Sequence, residues 1–545
     1  MQKFEIRHRD GLARIIILRR NGREIVLPAA LETPELFPSL GTRRYSNIPL
    51  SAPAEFVKTY GNEKTGEPYA VHPAGLFTVP GGEVAIVPGW HTALENPELY
   101  VDWLITLKER VPPDTAWYAP GAALPSTVHL LCYSGFDLFD FTGVDLLSVR
   151  GKFCLPEGIF GPELMETGVC SCRGCDGGDL SLHNRETLIR EIALLRSFIR
   201  SGRLRELVES RCRVQPEQVA VLRRFDCEED FCDQRWPVVR SVPMGATNTE
   251  DLHRIEIRRF ASRVVARYTP PTADVAVLLP CSVRKPYSLS KSHRIFSQVI
   301  GERAHELIVT SPVGLVPREL ELMYPAAHYD VPVTGYWDRE EKAFISGVIA
   351  AYFGRHRYRR VIAHLEGGAL EVAEEAARAV GIDLERTCSG HPLSGESLRL
   401  LGESLSGERR VRHDILGATI SWQFGAQIET RGISRRGRYP ELFYSRNRTQ
   451  LFSLDTSTGL VRPTFEGWDL LPDRYRIGIE DFIPTGDVLV PGVTACDAAI
   501  RAGDDVLVVG PSALATGRAA MGADEMKRSS CGVAVRVRKV KRLGG

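Results

Sequence analysis

The chain has 545 residues, 43% of them hydrophobic and 25% charged, with a formal net charge of +1. This is the composition of a soluble globular protein, and the length exceeds what one hydrophobic core organises, so several domains are expected. No apolar run is long enough to span a membrane and the amino terminus lacks a signal-peptide pattern, which points to a cytoplasmic protein with no membrane partner.

Residues 1–235 read as a first unit of short apolar strands punctuated by Pro and Gly, such as Val84-Ala-Ile-Val-Pro-Gly89 and Thr115-Ala-Trp-Tyr-Ala-Pro-Gly121. The amphipathic stretch Glu186–Glu209 predicts one or two helices. Ahead of it, in the same unit, lies Cys170-Ser-Cys-Arg-Gly-Cys175, followed by His183. Three thiolates and one imidazole suit the tetrahedral preference of zinc, and a closed, soft ligand set predicts a structural site. The acidic segment Phe225–Asp233 reads as a linker; its Cys227 and Cys232 are a weaker metal pair with no evident partners. With twelve cysteines in a cytoplasmic chain, a disulfide framework is not expected.

Residues 245–395 alternate strands (Val275–Leu279, Glu306–Thr310, Arg360–Leu365) with helices (Glu340–Phe353, Leu370–Val380), which predicts a mostly parallel sheet. The loops Cys281–His293, Ser311–Arg318 and Glu366–Gly368 then gather on one sheet edge, where ligands bind in open α/β folds. The first loop, Pro280-Cys-Ser-Val-Arg-Lys-Pro-Tyr-Ser-Leu-Ser-Lys-Ser-His293, packs a thiol, an imidazole, a phenol and several hydroxyls and cations behind a buried strand. Residues 396–470 read as a small α+β domain. Residues 471–545 are β-rich and end in the basic run Val535-Arg-Val-Arg-Lys-Val-Lys-Arg542. Such a strip on a nearly neutral protein suits a polyanion better than a membrane.

The 280–293 loop meets every fixed position of the Pro-Cys-Ser-x-x-Lys-Pro-Tyr-x-x-Ser-x-Ser-His signature, and in this it resembles the archaeosine synthases, archaeal tRNA-modifying relatives of tRNA-guanine transglycosylases. The Cys-x-Cys-x-x-Cys…His-Asn cluster is similar to the transglycosylase zinc site, with a shorter gap to His183. Gly135-Phe-Asp-Leu-Phe-Asp140 resembles that family's Gly-x-Asp-x-Phe-Asp motif and sets Asp140 at the nucleophile position. The second catalytic aspartate has no match; the comparable region holds Pro88-Gly-Trp-His-Thr-Ala93. Segment 1–235 is therefore expected to be a degenerate TIM-barrel-like domain that binds tRNA or the modified base, with Asp140 a relic. Ile479–Asp487, Asp497–Gly510, Gly517-Arg-Ala and Gly532–Arg538 resemble a PUA β-barrel, in which Arg536, Arg538, Lys539, Lys541 and Arg542 would meet RNA phosphates. Gly486 and Gly492 would serve tight turns or close backbone approach. The resemblance also implies a uracil-DNA-glycosylase-like fold for 245–395.

For function, the resemblance implies addition of an amine to the nitrile of 7-cyano-7-deazaguanine at position 15 of tRNA. Lysine is the expected donor, glutamine or ammonia the alternatives, and a radical-SAM partner enzyme would complete archaeosine; a homodimer is left open. Cys281 would attack the nitrile to give a thioimidate, with Arg284, Lys285 and His293 lowering its pKa. His293 would relay protons and Tyr287 orient the base or donate to nitrogen. Lys285 would otherwise hold the donor carboxylate or a phosphate, and Asp330 or Asp338 the donor amine. Ser290 and Ser292 complete the candidate catalytic set. Direct attack by the amine, with Cys281 only packing, stays open, as do base exchange by a true transglycosylase and non-catalytic tRNA binding.

Overall fold

The computed structural model describes residues 4–20, 22–32, 48–60, 69–75, 83–240, 242–331 and 336–543. They form two compact units. One comprises residues 1–237, 487–493 and 520–534, the other 238–486, 494–519 and 535–545.

The first unit opens with an antiparallel meander, Phe4–Asp10, Ala13–Arg20 and Arg23–Leu27. Five short parallel strands follow, in the spatial order Ala29–Ala30, Leu138–Phe139, Ala116–Tyr118, Val84–Ile86, Tyr69–Ala70. Ile16, Leu18, Val84, Ile86, Tyr118 and Leu138 build its core. Among the described residues this is a sheet of five strands, short of the eight of a complete barrel. The predicted helical stretch is two helices, Leu180–Ser201 and Leu204–Cys212. Gly202, in the left-handed region at φ 67°, ends the first. The presumed linker is helical instead. Pro216–Cys227 and Glu229–Arg235 are helices, with Phe225, Phe231 and Cys232 buried. The pattern Val221, Leu222, Phe225 supplies an apolar face that the acidic residues around it mask in sequence. Cys232 donates to the Phe225 carbonyl while Cys227 is exposed, so the two do not form a ligand pair.

The second unit is organised by a five-stranded sheet in the order Gly314–Pro317, His305–Thr310, Val275–Pro280, Arg360–Ala363, Leu384–Arg386. All neighbours are parallel except the first pair. Side chains alternate across a strand. Val275, Val277 and Leu279 face a core with Phe296, Ile300, Leu401 and Leu405. Ala276 and Leu278 face the opposite core, with Phe260, Val264, Ile345 and Ile349. A sheet covered on both faces needs an unbroken apolar strand, which is why 275–279 has no polar residue. Ala418, Trp422 and Leu460 join the second of these cores, so residues 396–470 pack into the α/β layer.

The chain ends in a second sheet, ordered Val533–Arg542, Ala513–Ala519, Asp505–Val509, Arg476–Ile479, Val493–Cys496. Arg536 pairs with Arg518 and Val537 with Gly517, but Lys539 pairs with Thr516, leaving Arg538 as the extra residue of a β-bulge.

Candidate functional site

The parallel strands of the second unit end together at Cys281, Ser311, His364 and Thr387, which collects the loops expected on one edge. Cys281 follows its strand directly and is exposed. The residue is thus open to solvent while protein crowds its sulfur. That desolvation raises the thiol pKa, while the Thr310 hydroxyl, which hydrogen-bonds the sulfur, and the Lys285 charge pull it down. The net direction is upward, the reverse of the sequence expectation, because loss of solvent outweighs the single nearby ammonium.

Lys285 lies with Nζ 3.8 Å from the centre of the Tyr329 ring. Burial lowers its pKa, against the opposing charges of Cys281 and Asp330. The thiol is pushed up and the ammonium down, so burial moves their proton affinities toward each other. Behind them runs a chain of hydroxyls. Tyr287 and Tyr329 are 2.9 Å apart, and Tyr329 is 2.6 Å from Thr310 Oγ1. Desolvation keeps both phenols neutral. Tyr329 is fixed by a short parallel ladder, Met244–Gly245 with Tyr329–Asp330, in which Ala246 N donates to the Asp330 carbonyl. Asp330 itself is exposed.

The rest of the loop is built for shape. Glu321, 3% exposed, accepts from Ser288 N at 2.9 Å, from Arg318 at 2.9 Å and from the Tyr439 hydroxyl at 2.7 Å. Ser290 caps the Lys291–Ile300 helix by accepting from His293 N, and its hydroxyl is 3.1 Å from that of Ser292. His293 is fully buried and its Nδ1 accepts from Arg318 at 2.8 Å. Desolvation, then the Arg318 charge, push its pKa down to about 3. A neutral imidazole held by a guanidinium brings no positive charge to lower the Cys281 pKa, the reverse of that expectation. Asp338 is the cap of the Arg339–Arg355 helix, accepting from Glu341 N and from Thr249. Part of the segment around it, residues 332–335, lies outside the described residues. Thr310 and Tyr329 were missed in sequence: each sits in an ordinary strand, and only the parallel pairings bring them to the sulfur.

In the first unit, Cys170, Cys172, Cys175 and His183 offer ligand atoms that all lie within 4.8 Å of one another. Cys172 Sγ is 3.2 Å and Cys175 Sγ 3.3 Å from His183 Nδ1. His183 Nε2 is 3.1 Å from the Cys154 carbonyl, which fixes the proton there and frees Nδ1 for a metal. Phe153 stacks on the imidazole at 3.8 Å. The four groups fit one metal ion. Gly174 is required beneath them, since a Cβ there would lie 2.3 Å from His183 N.

Asp140 follows the Leu138–Phe139 strand, as the motif implied. Its oxygens accept from the Tyr118 hydroxyl at 2.6 Å, Gly121 N at 3.1 Å and Thr142 N at 2.9 Å. A carboxylate so occupied braces two turns, and base exchange is not the favoured reading.

On the terminal strand the bulge changes the phase of the side chains. Arg536, Lys539 and Lys541 stand opposite Arg518, Thr516 and Leu514, on one face, and are exposed. Arg538 pairs with the buried Asp505 at 2.6 Å, and Arg542 lies on the opposite face. Of the five expected basic residues, three therefore share one face of the strand.

A parallel α/β sheet with a thiol at its strand ends, a Cys₃His cluster and a terminal β-barrel define a multidomain protein with an RNA-binding module. Residues 476–541 match the PUA domain, and 257–405 match a domain of unknown function, DUF5591. The archaeosine synthase subunit alpha of Methanosarcina acetivorans is 38% identical over 546 residues, covering 92% of this chain and 87% of its own. The archaeosine synthase of Haloferax volcanii is 38% identical over 462 residues, covering 81% and 79%. A tRNA-guanine(15) transglycosylase of Methanothermobacter thermautotrophicus is 27% identical over 471 residues, covering 81% and 68%. The chain belongs to the archaeosine synthase family.

Proposed function

We propose that this chain adds an amine to the nitrile of 7-cyano-7-deazaguanine at position 15 of tRNA, with Cys281 as nucleophile. Family membership makes it a tRNA-modifying transferase of archaeosine biosynthesis. The observation that supports the finer reading is an exposed strand-end cysteine beside a lysine of lowered proton affinity.

Lys285 in its neutral amine form, which its burial favours, takes the Cys281 proton as the sulfur attacks the nitrile carbon, and returns it to the imide nitrogen. The product is a neutral thioimidate. The amine then attacks the same carbon, the C–S bond breaks, and the amine proton returns to sulfur, leaving an amidine. Tyr329 and Thr310 position the sulfur and lysine; Tyr287, Ser290, Ser292 and His293 hold the loop. Lysine is the proposed donor, with glutamine or ammonia the other nitrogen sources, and Asp330, whose charge acts on Lys285, meets its amine. A radical-SAM enzyme acts next. Zinc is the proposed occupant of the Cys₃His cluster, where it clamps the 170–175 turn to the Leu180–Ser201 helix and takes no part in the reaction.

The test is incubation of the full chain with cyano-modified tRNA and labelled lysine, followed by mass analysis of nucleosides. Cys281→Ala should abolish the lysine adduct and retain tRNA binding. Turnover by that variant would establish direct attack by the amine.

A further inference from the structure

A second basic surface is carried by residues 410–435, between the two family-matched regions 257–405 and 476–541. Two adjoining cavities, of about 330 and about 450 Å³, share Arg412, Asp414 and Thr430, and together form an open groove. Arg410, Arg412 and Arg435 line it and are exposed. His413 joins them. Burial opposes its charge, but Glu319, buried behind it at 2.5 Å, outweighs that and raises its pKa. The acidic groups in the lining are Glu302 and Asp414. Asp414 is engaged as the cap of the Ile415–Phe424 helix and by the Thr430 hydroxyl. In the wall of the same groove Tyr444, 4% exposed, carries a hydroxyl with no hydrogen-bond partner, beside Arg435. A buried hydroxyl without a partner is costly unless a ligand completes it.

Three exposed guanidiniums in one open groove match the repeated charges of a phosphodiester backbone, which offers an oxygen to each of them. We propose that this groove holds a stretch of tRNA backbone, as a contact separate from both the PUA strand and the Cys281 edge. The inference rests on the reading that the substrate is tRNA. Arg410, Arg412 and Arg435 bind phosphate oxygens, and the Tyr444 hydroxyl donates to one of them.

The experiment compares the wild-type chain with Arg410→Gln/Arg412→Gln/Arg435→Gln, measuring tRNA affinity against salt and the kinetics of lysine incorporation. Removing three phosphate contacts should flatten the dependence of log K on log salt by about 2 to 3. KM for tRNA should rise about ten-fold or more with kcat within about two-fold, since no reacting group is touched. Arg-to-Lys replacement at the same sites should restore most of the salt dependence. Tyr444→Phe and single Arg435→Gln provide milder variants should the triple change disturb folding. A triple variant with wild-type KM and salt slope overturns this inference alone. A wild-type chain that does not bind tRNA overturns the proposed function as well.

Discussion

Thr310→Val removes the hydroxyl that hydrogen-bonds the Cys281 sulfur, and with it the 2.6 Å contact to the Tyr329 hydroxyl. Valine keeps the shape of threonine, and Tyr329 keeps its bond to Tyr287. A hydrogen bond to a charged acceptor contributes about 1.5–3 kcal/mol. Its loss should therefore raise the already elevated thiol pKa by about 1 to 2. The thiolate fraction at pH 7.5 falls about 10- to 100-fold. A more basic thiolate is intrinsically more nucleophilic, with a Brønsted slope of about 0.4–0.5. The net expectation is alkylation about 3- to 10-fold slower at neutral pH, with the deficit closing as pH passes the new pKa. Iodoacetamide labelling across pH, with the Cys281 peptide quantified by mass spectrometry, separates this thiol from the other eleven cysteines. A variant slowed equally at every pH, or one with an unchanged midpoint, would refute the role given to Thr310.

Two further outcomes follow from other parts of the molecule. Elemental analysis of the purified chain should find about one zinc per chain, with Cys175→Ser losing it and melting at lower temperature; a metal-free, equally stable wild type would remove the Cys₃His site. Asp455, 5% exposed, is desolvated, which alone would raise its pKa, but Ser457, Arg518 and Arg462 prevail and hold it down to about 2. A carboxylate depressed from about 3.9 contributes stability that is complete above about pH 4 and lost as pH falls towards 2, about 2–3 kcal/mol in all. Urea unfolding should show the wild type's advantage over Asp455→Asn shrinking between pH 5 and pH 2.5, and a constant gap would exclude this origin.

The strand-end position of Cys281 was legible because an apolar run fixes the strand before it and the Ser290 cap fixes the helix after it. The Cys₃His cluster was legible because its thiols are neighbours in sequence, and the helix at 183 delivers the imidazole. What sequence hid was long-range or solvent-dependent. Thr310 and Tyr329 reach the sulfur through separate parallel ladders. The direction of the Cys281 pKa depends on desolvation, which no count of nearby cations reveals. His293 reads as a cation beside Cys281, but Arg318, distant in sequence, holds the imidazole and keeps it neutral. The acidic composition of 225–233 concealed a helix whose apolar residues point inward.

The single extra residue at Arg538 has a bearing on how this protein can drift. Inserting one residue opposite it, between Thr516 and Gly517, would leave the tally of lysines and arginines untouched, yet would regularise the ladder and turn Lys539 and Lys541 away from Arg536. Grip on a polyanion along this edge is thus a matter of phase, not amount. Two relatives with equal charge could differ widely in hold, and an alignment gap of one position would mark the change better than any isoelectric point.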